Sequence, residues 1–238
     1  MMKFTAVVFD LFGTLVRDFS RHSYDIVYQH MAQTLDAPLD DFRQAFGRSF
    51  QDRSVGVYDT IEQNISHVCV QLGLSPSSAA IQQAAAHRYA FIRDTITPSQ
   101  EVLDTLATLK QMGLRLGLIS NCGPDVPQLW PQISLATHLD TALFSCRERL
   151  QKPEPELYHS ACHRLQHPPS ACVYVGDGSS EELTGAKQAG MVPVLKRTNL
   201  GNVYDHVRPE VDSWQGHAVD EIRELPALIS QLQVRANG

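Results

Sequence analysis

The residue with the clearest chemical potential in this chain is the carboxylate of Asp10, because it follows an apolar run. Residues 4–9 are almost all β-branched or aromatic, a pattern typical of a buried parallel strand. Asp10 comes directly after this run, shortly before a turn at Gly13 and Thr14. Open α/β sheets bind ligands at the edge where their strands end. An Asp at this position is also common as a helix N-cap or in a turn. The other polar residues of the chain favour the ligand-binding interpretation.

Other polar residues stand at or just after the ends of later apolar runs. They are Thr14, Ser120, Asn121, Lys152 and Asp177. If the runs are parallel strands, these side chains and Asp10 meet in one crevice. Two carboxylates, one ammonium group and two hydroxyls suit a displacement at an anionic centre. One carboxylate attacks, the cation and N–H groups stabilise the developing charge, and the second carboxylate holds a metal.

The apolar spacing predicts two kinds of structure in the chain. Before about residue 96 it is helical, with helices over residues 23–35, 39–50, 61–72 and 79–96. The next helix is opened by the segment 97–100, with Pro98 at its first helical position, and is closed by Gly113. Strands are then predicted over residues 114–119, 142–145, 171–175, 192–195 and 217–219, with helices over 154–165, 181–189 and 224–232.

Alternating strands and helices indicate an α/β fold with a doubly wound parallel sheet covered on both faces. The early helical module is then an all-α cap inserted after the first strand. The sequence therefore predicts a discontinuous core over residues 1–17 plus 96–238 and a helical cap domain over residues 18–95.

The composition of the chain favours some kinds of binding partner and cellular location over others. The 238 residues carry a formal charge of −6, which argues against nucleic acid and anionic membranes as partners. The five cysteines are odd in number and form no Cys-x-x-Cys pair, which favours a reduced, cytoplasmic protein. No stretch reaches the length of a membrane span, and the N-terminal run lacks a small-residue cleavage site.

Four segments, in order, resemble the motifs of the haloacid dehalogenase-like hydrolase superfamily, in its form with a helical cap after the first motif. They are residues 10–16, 118–121, 152–158 and 175–191, so the resemblance covers essentially the whole chain. It implies a Rossmann-like core and hydrolysis through a covalent intermediate on Asp10. Thr14 and Ser120 would orient the transferred group, and Lys152 would neutralise charge on that group and on the nucleophile.

The resemblance also implies a metal and a substrate class. Mg²⁺ would be bound by Asp10, Asp177 and the backbone carbonyl of Phe12, an oxygen set that suits a hard cation. Glu182 would support the metal directly or through water; first-turn helix charge is the other interpretation. The implied protein is a Mg²⁺-dependent phosphatase that acts on a small phosphorylated, anionic metabolite. We expect it to be a monomer or a homodimer.

Substrate contacts are expected from Ser120, Asn121, Lys152 and a cap arginine. Arg43 is the first choice among Arg43, Arg48 and Arg53, because a guanidinium fork suits a carboxylate or phosphate. Ordinary surface charge is the other interpretation of all three. His159, His163 and His167 have the spacing of one helix stripe, which we interpret as a solvated face rather than a zinc site.

Phe12 departs from the phosphatase pattern. Phosphatases of this superfamily usually have an Asp there, which protonates the leaving oxygen and later activates water. Losing such acid–base help costs roughly 10²–10⁴ in rate, which matters less for a halide leaving group. The 2-haloacid dehalogenases also have an aromatic residue here and a Tyr matching Tyr158, so a metal-independent C–halogen hydrolase is the alternative. A weakly active or non-catalytic binding protein is the second alternative.

Overall fold

The computed structural model describes residues 4–235, and its central element is a six-stranded parallel sheet. The strands are β1 (Ala6–Phe9), β2 (Arg115–Ser120), β3 (Thr141–Phe144), β4 (Cys172–Gly176), β5 (Val192–Lys196) and β6 (His217–Val219). Their order is β3-β2-β1-β4-β5-β6, and every neighbouring pair is parallel. The predicted strands are confirmed, with ends that differ by one or two residues.

β1 lies at the point where the order of strands reverses. It pairs with β2 on one side and β4 on the other, and Phe9 lies opposite both Leu118 and Val175. The chain builds β2 and β3 on one side of β1 before it returns to build β4, β5 and β6 on the other. Ligands of open α/β sheets bind outside the strand ends at such a reversal.

Helices cover both faces of the sheet. They are α6 (Gln100–Gln111), α7 (Asp125–Leu129), α8 (Leu135–His138), α9 (Ser145–Glu148), α10 (Pro155–Leu165), α11 (Glu182–Gln188) and α12 (Leu225–Arg235). Successive residues of β1 enter different apolar clusters, Val7 and Phe9 on one face and Ala6 and Val8 on the other. The predicted doubly wound α/β core is therefore confirmed.

Five helices between β1 and α6 form the cap. They are α1 (Arg21–Thr34), α2 (Leu39–Arg48), α3 (Phe50–Ser54), α4 (Ile61–Gln71) and α5 (Ser78–Thr95). Their inner faces form a separate apolar cluster that includes Met31, Phe42 and Ile65. The two segments that join cap and core are linked by an exposed ion pair between Arg17 and Asp94. The cap is confirmed, while its limits at residues 18 and 95 stay a prediction.

Three local predictions were wrong. The helix over residues 39–50 divides at Ser49 into α2 and α3. Ser99, not a residue before Pro98, caps α6, because its side chain accepts the N–H of Val102. Pro98 therefore lies outside the helix. His167 does not share a helix with His159 and His163 as predicted, since α10 ends at Leu165.

The short helices α7, α8 and α9 were not predicted. They have four or five residues each, too few for an apolar period to be recognised. Within residues 4–235, no helix is both long and apolar enough to cross a membrane.

Candidate active site

Asp10 lies at the end of β1 and is 3% exposed. Its backbone N–H donates to the Val175 carbonyl oxygen at 2.9 Å, which continues the sheet into the site. Thr14 Oγ1 donates to Asp10 Oδ2 at 3.1 Å, and Lys152 Nζ donates to Asp10 Oδ1 at 2.5 Å. The structure thus brings together the predicted nucleophile, hydroxyl and ammonium group.

Lys152 links two carboxylates. Its Nζ also donates to Glu182 Oε2 at 2.5 Å. Burial works against the charged ammonium, but the carboxylates of Asp10 and Glu182 outweigh it and raise the pKa of Lys152. Burial raises the pKa of Asp10; the Lys152 cation opposes that rise and Asp177 adds to it. Lys152 is therefore a permanent cation beside the predicted nucleophile, Asp10, where it can neutralise charge.

Asn121 holds Lys152 by its backbone. Asn121 Oδ1 accepts the Lys152 N–H at 2.9 Å, and Asn121 Nδ2 donates to the Lys152 carbonyl oxygen at 3.2 Å. Both side-chain groups of Asn121 are thereby occupied. The residue lines the cavity but acts mainly on the lysine. Ser120 Oγ, in contrast, is buried and has no hydrogen-bond partner among the described residues, and Ser120 is not one of the residues that line the cavity.

The oxygens of Glu182 are occupied by protein donors. Oε2 accepts from Lys152 and from the Tyr174 hydroxyl at 2.8 Å, and Oε1 accepts the Gly178 N–H at 3.0 Å. Burial raises the pKa of Glu182, and the cation of Lys152 opposes that rise. Glu182 therefore acts first as the second counter-ion of Lys152. Tyr158 lies behind it, since its hydroxyl donates to the Glu182 carbonyl oxygen at 3.0 Å.

Asp177 has a partner that the sequence analysis did not find. Arg208 Nε and Nη2 approach Asp177 Oδ2 at 2.8 and 2.7 Å, and Arg208 Nη2 also lies 3.3 Å from Asp18 Oδ1. Asp18 Oδ2 is buried without a hydrogen-bond partner among residues 4–235. Burial and the negative charge of Asp177 raise the pKa of Asp18 to about 7, in spite of Arg208.

The arrangement suits a hard cation in part. One carboxylate oxygen from each of Asp10, Asp177 and Glu182 lies within 4.8 Å of the other two. These three carboxylates and that of Asp18 are paired with only two cations among the described residues of this region, Lys152 and Arg208. The local charge is therefore negative, and an all-oxygen donor set matches Mg²⁺. All three carboxylates already accept hydrogen bonds from protein donors, so which of them would hold a metal stays a prediction.

Gly13 keeps this acidic region open. Its φ is +79°, and a Cβ there would come within 2.3 Å of Asp177 Oδ2 and 2.7 Å of Asp18 Oδ2. Only glycine accepts both that backbone conformation and the close approach of two carboxylates. The glycine of the turn after β1 thus makes room for the acidic groups.

A cavity of about 350 Å³ lies between the strand ends and the cap. Asp10, Phe12 and Lys152 line it from the core. The Phe12 ring packs 4.4 Å from the Phe19 ring, between centroids, and provides no proton. The Phe12 side of the cavity is therefore apolar, and the role of the Phe12 carbonyl as a metal ligand stays a prediction.

The cap arginines at the cavity differ from the first choice. Arg43 is not among the lining residues; it pairs with Asp25 at 3.1 Å on the outside of the cap. Arg53 and Arg88 line the cavity instead. Arg53 is one of the predicted alternatives to Arg43, whereas Arg88 was not predicted, because helical spacing alone does not show which face of a cap helix meets the core.

The comparisons with known proteins agree with this fold. A model of the haloacid dehalogenase-like hydrolase family matches residues 4–190, and the chain belongs to that family. It is therefore a hydrolase, in a family that has both phosphatase and dehalogenase relatives of this chain.

Two relatives and one solved structure represent the two chemistries. The chain is 30% identical over 161 residues to a glyceraldehyde 3-phosphate phosphatase of Methanopyrus kandleri, a match that covers 66% of each chain. It is 26% identical over 226 residues to a (S)-2-haloacid dehalogenase of Pseudomonas sp., which covers 92% of this chain and 93% of the relative. A 2-haloacid dehalogenase structure from Pseudomonas syringae pv. Tomato has a TM-score of 0.69 at 24% identity, covering 96% of this chain and 99% of that one, and shows the shared fold.

Proposed function

We propose that the protein is a Mg²⁺-dependent phosphatase of a small phosphorylated metabolite. The observation that carries this proposal is the buried Asp177 carboxylate beside Asp10, in a region with more carboxylates than cations. A metal-free displacement has no use for a second carboxylate near the nucleophile, where like charges repel. The phosphatase relative supports the same reaction.

In this proposal the Asp10 carboxylate attacks the phosphorus atom, the ester P–O bond breaks, and water then hydrolyses the aspartyl-phosphate. Lys152 stabilises negative charge on the transferred group, and Thr14 holds the attacking carboxylate in place. Ser120 Oγ, which has no partner among the described residues, donates to the bound phosphoryl group. Asp10 and Asp177 would hold Mg²⁺, which supplies electrophilic stabilisation of phosphoryl oxygens when bound.

Metal removal tests the proposal directly. We expect hydrolysis of an aryl phosphate to be abolished by EDTA and restored by Mg²⁺, because Lys152 and Arg208 alone do not balance the four carboxylates of the site. Thermal unfolding with and without Mg²⁺ gives a second measurement. The stabilisation by Mg²⁺ should disappear in Asp177→Asn. A Mg²⁺ shift that is the same in Asp177→Asn and wild type would remove Asp177 as a ligand.

Halide displacement from a 2-haloacid is the second candidate, favoured by Phe12. A halide leaves without a proton, so the apolar wall that Phe12 forms with Phe19 is no handicap. Arg208 already balances part of the charge on Asp177 in the metal-free protein. Halide release from 2-chloropropionate that is unaffected by EDTA, with no phosphate ester hydrolysed, would support this function in place of the phosphatase.

A further inference from the structure

The cap side of the cavity contains two arginines that the reaction at Asp10 does not use. Arg53 comes from α3 and Arg88 from α5, and both line the same cavity as Asp10. They are almost completely buried, with exposed fractions of 2% and 5%. Buried guanidinium groups require partners, because leaving a charged donor unpaired away from water is costly.

Arg53 is fixed by one end of its guanidinium. Nη1 donates to the Phe46 carbonyl oxygen at 2.7 Å, to Ser49 Oγ at 2.7 Å and to Asn64 Oδ1 at 3.0 Å. Within residues 4–235, these are the hydrogen bonds that the side chain makes. Nε and Nη2 are therefore free to bind a ligand while Nη1 anchors the group to the cap.

Arg88 is similarly half occupied. Its Nε donates to Asp125 Oδ2 at 2.7 Å, which joins the cap to α7 of the core. Its Nη1 is buried and has no hydrogen-bond partner among the described residues. This unpaired donor indicates that an acceptor is supplied from outside the chain.

Asp125 pairs directly with Arg88, and its negative charge also acts on Arg53. Both arginines approach the ring of Phe46, with Cζ at 4.2 Å from its centroid for Arg53 and 6.0 Å for Arg88. Burial lowers the pKa of Arg53, and the positive charge of Arg88 lowers it further, so the groups are close enough to repel. With Asp125 as the carboxylate that pairs here, one positive charge is left over in a pocket whose walls also include the rings of Phe19 and Tyr24.

We propose that Arg53 and Arg88 form a carboxylate-binding subsite, so that the substrate has a carboxylate in addition to its reacting group. An Arg fork matches a carboxylate geometrically, and an anion here cancels the excess charge. The phosphoryl part of this substrate rests on the proposed function, which makes the substrate class a phosphorylated carboxylic acid. A cavity of about 350 Å³ suits a ligand of that size.

Calorimetric titration with a matched pair of stable analogues tests the subsite. The probes are 3-phosphonopropanoate and propylphosphonate, which have the same length and differ by one carboxylate. We expect the carboxylate to tighten binding to wild-type protein by about tenfold or more, because it pairs with two guanidinium groups. The preference should fall to about one in Arg88→Met. It should persist in the control Arg48→Met, because Arg48 is exposed and outside the cavity.

A second variant guards against loss of the fold, since Arg88→Met leaves Asp125 unpaired. Arg88→Lys keeps the charge and loses the planar fork, so it should retain part of the preference. Equal binding of the two phosphonates to wild type, or a preference that survives in Arg88→Met or is unchanged in Arg88→Lys, would overturn the subsite.

Titration with succinate tests the carboxylate subsite independently of the proposed phosphatase function. If no phosphonate binds and no phosphate ester is hydrolysed, the phosphatase fails. Succinate binding that depends on Arg88 would then still support the subsite, and succinate binding without that dependence, or none at all, would overturn it.

Discussion

At the residue scale, the site consists of two buried cations, each of which lies between two carboxylates. Lys152 lies between Asp10 and Glu182, and Arg208 lies between Asp177 and Asp18. Breaking one member of such a buried network leaves another charge uncompensated, which typically costs several kcal/mol. Substitutions here have to conserve shape if they are to report on chemistry rather than folding.

Asp10→Asn conserves shape and removes the nucleophile. We expect turnover to fall by at least about a thousandfold, because an amide does not attack phosphorus or carbon at a useful rate. Mass spectrometry of the quenched reaction should show no covalent adduct on the variant. Asp94→Asn is the matched control, since Asp94 is exposed and its only ion pair among residues 4–235 is with Arg17. An adduct that still forms in Asp10→Asn would assign the nucleophile elsewhere.

Phe12→Asp tests the missing acid. We expect hydrolysis of alkyl phosphates to rise by about 10–100-fold and that of aryl phosphates to change little, because only the alkoxide needs a proton. The loss of the ring contact with Phe19 should cost about 1 kcal/mol of stability, which thermal unfolding measures separately. A flat alkyl-phosphate rate in a folded variant would show that Phe12 is no handicap.

At the element scale, the parallel strands decide which residues meet. Asp10 and Ser120 fall at the ends of β1 and β2, and Asp177 follows β4 directly. This convergence could be predicted from the sequence, because each strand is a buried apolar run that ends on a polar group. The cap contacts could not, because the rotation of a helix against the core depends on packing between distant segments.

Gly13→Ala tests the turn after β1. A Cβ there meets two carboxylates at a φ of +79°, so we expect a loss of at least about 2 kcal/mol in the free energy of unfolding. Gly73→Ala is the matched control: its φ is +70° and no atom lies within 4 Å of the added carbon. Its cost should be limited to about 1 kcal/mol of backbone strain. Urea unfolding measures both, and equal losses would rule out crowding by Asp177 and Asp18.

At the scale of the whole molecule, long-range charge pairs join parts of the chain that the sequence shows as unrelated. Arg208 lies in a segment without helix or strand between β5 and β6, and no periodicity points to it. Its partner Asp18 lies at the start of the cap, 190 positions away. Such pairs depend on the final fold, which is why sequence reasoning placed Asp10 and Lys152 in one site but missed this arginine.

The acidic cluster makes stability depend on pH. The pKa of Asp18 is about 7 in the folded protein against an ordinary 3.8, so the folded state binds the proton more tightly. Stability from this group is therefore full below about pH 4 and is lost as the pH rises to about 7. In buffer with chelator, Asp18→Asn should be more stable than wild type by on the order of 1–3 kcal/mol at pH 8. The gain should vanish near pH 4, and a gain that is independent of pH would contradict this account.

The ion pair between Arg17 and Asp94 marks where the polypeptide crosses from core to cap and back. Because the two connections lie side by side, the segment between Arg17 and Asp94 begins and ends at neighbouring points of the structure. Chimeras joined at this pair would exchange the Arg53 and Arg88 pocket for that of another family member and leave the strand order untouched. Recombination at this pair can therefore change which leaving groups the enzyme prefers without changing Asp10, Lys152 or Asp177 in the core.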